Sequence, residues 1–149
     1  MCPELEGQKY DRIIMYSETN NTNYRYNTAE MERLRTSCAL FSSGYPEDAL
    51  DTLRSIEDDS YRDCEEYYKQ ELCCLIRLER FEEAEKLSLS LIDRFGHMSE
   101  SPWLALVSSL QALGREEEAC AALEETISYW PNDPRLLKLL IGNAAKENG

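Results

Sequence analysis

ESPWLALVSSLQALGREEEACAALEETISYWPND, residues 100–133, contains two helical patterns on either side of one glycine, Gly114. Apolar or small residues recur at the spacing of one helix face, first at Trp103, Leu106, Val107 and Leu110, then at Ala119, Leu123, Thr126 and Ile127. Glycine adopts the left-handed conformation that ends a helix at little cost, and Pro131 follows the second pattern. The stretch therefore predicts two antiparallel helices joined by a tight turn.

The same plan recurs twice upstream, with a period of 35 residues. Ala119 is matched by Ala84 and Ala49, and Leu110 is matched by Leu75 and Leu40. The remaining matches pair Trp103 with Tyr68, Ile127 with Ile92, Leu123 with Leu53 and Gly114 with Gly44. In the second unit the turn holds Glu79 instead of glycine. A recurrence of this length predicts stacked helix-turn-helix units.

These positions resemble the tetratricopeptide (TPR) motif, which has an early aromatic residue, a turn glycine, a small alanine, a final proline and a period of about 34 residues. The resemblance implies an all-α, TPR-like solenoid of three helix-turn-helix repeats. We place the repeats at about residues 30–63, 65–99 and 100–133, within a TPR-like domain of residues 28–147. Residues 1–27 fit no repeat and are predicted to be an irregular segment.

A last helix is predicted over residues 134–146, because Asp133 suits an N-cap and Pro134 suits the first helical position. Its apolar side is expected to consist of Leu136, Leu137, Leu140, Ile141 and Ala144. The third repeat of a solenoid would otherwise expose an apolar face to water. We therefore expect this helix to cap the solenoid.

The charge of the chain restricts its partners. The 149 residues include 29 acidic and 16 basic side chains, which give a formal net charge of −13. Such a surface repels phosphate groups, so we expect neither nucleic acid nor membrane lipids as partners. No apolar run approaches the roughly 18 residues of a membrane-spanning helix, and the first residues lack the pattern of a secretion signal. We therefore expect a cytoplasmic protein.

Motifs of catalysis are absent from the sequence, which contains no phosphate-binding loop, nucleophile elbow or H-E-x-x-H motif. His97 is the only histidine and has no partner in a recognisable triad. The six cysteines are Cys2, Cys38, Cys64, Cys73, Cys74 and Cys120, and no C-x-x-C pair occurs among them. We interpret them as reduced core or groove thiols, with a metal site as the alternative. The sequence predicts no enzyme and no cofactor.

In TPR proteins the first helix of each repeat lines a concave groove. The positions that match those groove residues here are Met31, Leu34, Cys38, Phe41, Lys69, Cys73, Ile76, Arg77, Leu104, Ser108 and Gln111. The set is mostly apolar with a basic centre, which suits an amphipathic helix anchored at i, i+3 or i+4, and i+7. It lacks the asparagines of a clamp for acidic C-terminal peptides. For each residue the alternative is packing against a neighbouring helix.

The first repeat departs from the TPR pattern. Its apolar stripe consists of Met31, Leu34, Cys38 and Phe41, on the face that is expected to line the groove. One explanation is that the segment Ile13-Ile14-Met15 covers the stripe, or that the register of the helix is shifted. The other is a hydrophobic binding surface, since exposed apolar patches on soluble proteins mark partner sites.

Three short motifs carry a closer resemblance, and they are Pro102-Trp103-Leu104-Ala105-Leu106, Leu113-Gly114 and Asp133-Pro134-Arg135. Over about residues 30–146 they are similar to the G-type needle-subunit chaperones (YscG/PscG-like) of bacterial type III secretion. The class II translocator chaperones (SycD/LcrH-like) are a more distant likeness. The resemblance implies a cytosolic chaperone that holds an amphipathic helix of the needle subunit, together with a small helical co-chaperone. The alternative is a structural TPR scaffold subunit of a multiprotein complex.

Overall fold

The computed structural model describes residues 28–140, and all regular secondary structure in that range is helical. The main helices are α1 (Thr28–Ser42), α2 (Pro46–Arg54), α3 (Glu65–Arg77), α4 (Phe81–Phe95), α5 (Ser101–Ala112) and α6 (Glu116–Tyr129). A 3₁₀ helix, Asp59–Asp63, precedes α3, and a further helix, α7, covers residues 134–140. The predicted irregular segment, residues 1–27, and the last part of the predicted terminal helix, residues 141–146, lie outside the described residues.

The six main helices form three helix-turn-helix pairs, in which α1 packs on α2, α3 on α4, and α5 on α6. The inner helices, α1, α3 and α5, also pack side by side. Among the outer helices, α2 packs against both α1 and α3, and α4 packs against both α3 and α5. The predicted all-α architecture of three stacked repeats is therefore confirmed.

Three turns of the same geometry reverse the chain within the repeats. Gly44, Glu79 and Gly114 have positive φ angles of 92°, 61° and 79°. The next residue donates its N–H to the carbonyl five positions earlier, from Tyr45 to Leu40 (2.9 Å), Arg80 to Leu75 (2.8 Å) and Arg115 to Leu110 (3.0 Å). This is the Schellman arrangement, which satisfies carbonyls that the end of a helix leaves without partners. Glu79 thus adopts a conformation that glycine tolerates better.

The helices of each pair approach closely at an alanine. Ala49 and Ala84 are 0% exposed and Ala119 is 1% exposed. Each alanine belongs to a core cluster with a leucine from the inner helix of its own repeat, Leu40, Leu75 or Leu110. A larger side chain at any of these positions would separate the two helices. The three buried alanines lie 35 residues apart, as the predicted register requires.

The terminal helix α7 docks on the third repeat through only part of its apolar surface. Asp133 caps it, since its Oδ1 accepts a hydrogen bond from the N–H of Arg135 at 2.8 Å. Leu136 is fully buried beside Val107 and Leu123. Leu137 and Leu140 are 40% and 41% exposed, so their predicted place on the packed side is wrong. The reason is that the leucines of α7 lie on two faces of the helix, and only one face meets the third repeat.

Replacing Glu79 with glycine is expected to stabilise the protein by about 0.5–1 kcal/mol. A non-glycine residue pays about 1–2 kcal/mol for the left-handed conformation, and part of that gain is lost because glycine has more freedom in the unfolded chain. Urea unfolding followed by circular dichroism measures the difference. As a control, Lys86→Gly in the exposed interior of α4 should destabilise by about 1 kcal/mol. A destabilised Glu79→Gly variant would contradict the turn geometry.

Replacing Ala119 with tryptophan is expected to destabilise the protein by about 1–3 kcal/mol, because the new ring must separate α5 from α6. Ala121 lies two residues further along α6 and is exposed, so Ala121→Trp is the matched control and should leave the free energy of unfolding nearly unchanged. Thermal melts of both variants make the comparison. Equal melting temperatures for the two would show that the helices do not meet at Ala119.

Candidate functional site

An open groove lies between the C-terminal end of α1, the helices α3 and α5, and the start of α7. Its volume is about 350 Å³. The predicted groove residues that line it are Phe41, Lys69, Cys73, Ile76, Arg77, Leu104 and Ser108. Four further lining residues were not predicted, and they are Leu72, Ser101, Ala105 and Arg135. Residues from three repeat units and from the terminal helix therefore meet at this groove.

The floor of the groove is apolar. Leu72 and Ala105 are buried, and they form one core cluster with Tyr68 and Leu91, against which Ile76 also packs. This cluster fills the contact between the second and third repeats. The floor is thus the outer surface of the core between α3 and α5, and an apolar ligand placed there would extend that core and lose contact with water.

Cationic side chains lie along the groove. The guanidinium carbon of Arg77 is 4.5 Å from the centre of the Phe41 ring, within the distance of a cation–π contact. Lys69 is exposed on the same helix, two turns earlier. Arg135 donates hydrogen bonds to Glu100 Oε1 at 2.7 Å and to Asp133 Oδ2 at 3.0 Å. The groove therefore combines an apolar floor with positive charge.

The thiol of Cys73 contributes an uncharged surface. Burial raises the pKa of the Cys73 thiol, although the nearby charges of Lys69 and Arg77 act in the opposite direction. Partial desolvation raises the pKa of the more exposed Cys38, and burial raises the pKa of Cys74 to about 11. Because the thiolate is the nucleophilic form, these protonated thiols are poor nucleophiles at neutral pH. Cys73 is therefore suited to contact rather than to catalysis.

Some predicted groove residues lie elsewhere. Met31 and Leu34 pack against a core cluster between the first and second repeats, made of Leu53, Ile56, Tyr61 and Tyr67. Cys38 is exposed and Gln111 is half-buried, and neither is among the residues that line the groove. Met31 and Leu34 are not among the residues that line this groove, and their role as partner contacts stays a prediction. Of the apolar stripe on α1, Phe41 reaches the groove.

The orientation of α1 is fixed by a buried serine. Ser37 is fully buried, donates a hydrogen bond from its Oγ to the carbonyl of Ala49 at 2.7 Å, and accepts one from Gln70 Nε2 at 3.1 Å. Ser37 therefore lies at the centre of the buried face of α1, at the position that Leu72 and Val107 occupy one and two repeats later. α1 thus keeps the predicted register, so a shifted register does not explain the stripe. The other explanation, cover by Ile13-Ile14-Met15, lies outside the described residues.

The sequence indicates only some of the four further lining residues as groove residues. Leu72 follows Lys69 by three residues and Ala105 precedes Ser108 by three, so helical spacing alone places them beside predicted groove positions. Ser101 belongs to the first turn of α5. Arg135 comes from α7, and its position depends on how that helix docks, which no local pattern indicates.

Other kinds of site have no support in the described part of the chain. Within residues 28–140, no group of three or more His, Cys, Asp or Glu side chains is placed to hold a metal ion. No helix in the same range is both long and apolar enough to cross a membrane. The ring of His97 stacks on Tyr129 with 4.2 Å between centroids, and Tyr129 in turn contacts Trp103 edge to face. His97 therefore belongs to an aromatic packing cluster.

The structure is similar to that of the first TPR domain of the human RPAP3 protein. The two share 22% sequence identity with a TM-score of 0.62, and the match covers 80% of this chain and 96% of that one. No protein-family model and no curated protein matches the sequence. At this identity the likeness establishes the fold, which is that of a TPR domain. TPR domains typically bind proteins rather than catalyse reactions.

The contact between α5 and α7 predicts a pH dependence. Burial and the neighbouring Asp133 carboxyl raise the pKa of the Glu100 carboxyl, whereas Arg135 and Glu100 lower the pKa of Asp133. Because the pKa of Glu100 is raised in the folded protein, Glu100 contributes most to the free energy of unfolding below its unfolded-state pKa, near 4.5. This contribution to stability is lost as the pH rises through the folded-state pKa. Glu100→Gln resembles the protonated form, so its stability relative to the native protein should increase from pH 4.5 to pH 7.

Urea unfolding at several pH values measures this difference. Glu124→Gln, an exposed position in the middle of α6, is the control and should show the same pH dependence as the native protein. A Glu100→Gln variant that loses stability at pH 7 but not at pH 4.5 would reverse the sign and contradict the account of this contact.

Proposed function

We propose that this protein binds an amphipathic helix of a protein partner in the groove formed by α1, α3 and α5. The observation that carries the proposal is an open groove on the inner side of a TPR fold, with an apolar floor of Leu72, Ile76 and Ala105. A helix laid in such a groove presents apolar anchors at i, i+3 or i+4, and i+7. The predicted groove residues that line the cavity keep their proposed role as contacts.

A more specific form of the proposal is a chaperone that holds the needle subunit of type III secretion, together with a small helical co-chaperone, in the cytoplasm. Its support is the likeness of the motifs around Trp103, Gly114 and Pro134 to those of the G-type chaperones. An apolar groove would cover a helix that otherwise associates with its own copies. A net charge of −13 would keep the complex in solution.

The second candidate is a permanent scaffold subunit that holds a fixed partner in the same groove. It is favoured by the exposure of Leu137 and Leu140 on α7, an apolar surface in addition to the groove. A further contact of this kind suits a subunit with several neighbours in one complex. The two candidates differ in whether the bound partner exchanges with free partner, since a chaperone must release its client and a scaffold retains its partner.

Filling the groove is expected to abolish binding without unfolding the protein. Ser108 is half-buried on α5 and lines the groove, so the ring of Ser108→Trp would occupy the space of a partner side chain. Binding of a fluorescent, leucine-faced helical peptide, measured by anisotropy, should weaken about tenfold or more, which corresponds to at least about 1.4 kcal/mol. Far-UV circular dichroism should remain unchanged.

The matched control is Ser90→Trp, which places the same ring on the exposed face of α4 outside the groove. This variant should bind the peptide as the native protein does. Equal affinities for the Ser108→Trp and Ser90→Trp variants would remove the groove as the binding site. Once a natural partner is bound, its exchange with an excess of unlabelled partner separates the two candidates, since exchange supports a chaperone and none supports a scaffold.

A further inference from the structure

Arg77 differs from the other arginines of the described chain in having no acidic partner. The others pair with carboxylates, and they are Arg33, Arg35, Arg54, Arg62, Arg80, Arg94, Arg115 and Arg135. Within residues 28–140, no carboxylate forms an ion pair with Arg77, although the whole chain has a net charge of −13. A guanidinium left without a carboxylate in so acidic a protein is therefore available to a ligand.

The Phe41 ring holds Arg77 at the edge of the groove. The contact of 4.5 Å places the guanidinium over the face of the ring. A guanidinium that stacks in this way still presents its N–H groups around its edge, in a fork that matches a carboxylate. Arg77 is thus held in place with its hydrogen-bond donors unoccupied by described residues.

Lys69 is the second cation of the groove without an ion-pair partner among the described residues. It lies eight residues before Arg77 on α3, which corresponds to about 12 Å along the helix axis. Between the two, Leu72, Cys73 and Ile76 line the groove. Arg135 also lines the groove, but its charge is neutralised by Glu100 and Asp133. The pattern along α3 is therefore a cation, an apolar strip and a second cation.

We propose that the helix bound in the groove is acidic, with two carboxylates seven or eight residues apart that flank its apolar anchors. One carboxylate pairs with Lys69 and the other with Arg77, while the anchors between them cover Leu72, Cys73 and Ile76. This inference rests on the proposed function and adds the chemistry and spacing of the partner. The two ion pairs fix the register of the helix, because complementary charges set specificity more than affinity.

The acidity of the whole chain makes this local pattern informative. At long range the net charge of −13 repels an acidic helix, so general electrostatic attraction does not favour it. Attraction arises at the two cations alone and falls off within about a Debye length, near 10 Å at 0.1 M salt. Recognition should therefore need both the apolar anchors and the carboxylates in the correct places.

The test compares two synthetic helical peptides on the full-length protein. Both are alanine-rich, 18 residues long and leucine-faced, and one carries two glutamates seven residues apart beside the leucine face where the other carries glutamines. Exposed ion pairs each contribute roughly 1.4- to 5-fold in affinity, so the glutamate peptide should bind about fivefold more tightly at low salt. Fluorescence anisotropy measures both dissociation constants, and 0.5 M salt should reduce the preference.

Charge-neutralising variants test whether Lys69 and Arg77 cause the preference for the glutamate peptide. Lys69→Gln and Arg77→Gln should each reduce it, and the double variant should bind the two peptides equally. Lys86→Gln removes one positive charge from the exposed surface of α4, outside the groove, and should keep the preference. Circular dichroism of each variant verifies that the fold is intact, as expected for exposed side chains.

Each outcome bears on one of the two proposals. Equal binding of both peptides by the native protein, or a preference that survives in the double variant, overturns the inference and leaves the groove function standing. Binding of neither peptide overturns the groove function itself. A preference lost in the double variant and kept in Lys86→Gln supports the assignment of Lys69 and Arg77 as the carboxylate contacts.

Discussion

The close contact of two helices at Ala49, Ala84 and Ala119 is the constraint on which the rest of the fold depends. Each alanine follows a left-handed turn residue by five positions, so one short segment both reverses the chain and brings the second helix against the first. Because the contact repeats every 35 residues, the three pairs have similar geometry and stack in one direction. The inner helices consequently form a row, and the outer helices lie between or beside them.

The groove follows from this stacking. The contact between α3 and α5 is filled by Tyr68, Leu72, Leu91 and Ala105, and the inner side of that contact faces solvent. No described segment covers it, so the surface offers apolar area together with the cations of α3. Within residues 28–140 the other arginines pair with carboxylates of the chain, whereas Lys69 and Arg77 have no ion-pair partner there. Fold and proposed function thus depend on the same packing of the inner helices.

The sequence predicts the features that depend on spacing, and it fails where a buried polar group or the docking of another helix decides. The turn at Glu79 was recognisable by its phase, although the residue is not glycine. Ser37 has the phase of the buried Leu72 and Val107, but its polarity conceals this in a hydropathy pattern, and its hydrogen bonds to Ala49 and Gln70 satisfy it inside. Arg135 reaches the groove through the docking of α7, which local sequence does not specify.

Whether a partner binds in the groove is measured by the rate at which the Cys73 thiol is alkylated with and without a bound helical partner. Cys73 lines the groove, and Cys64 lies outside it and serves as an internal reference in the same molecule. Mass spectrometry of the alkylated peptides gives both rates. A partner bound in the groove should slow alkylation of Cys73 and leave that of Cys64 unchanged. Equal rates at Cys73 with and without a saturating partner would place the binding surface elsewhere.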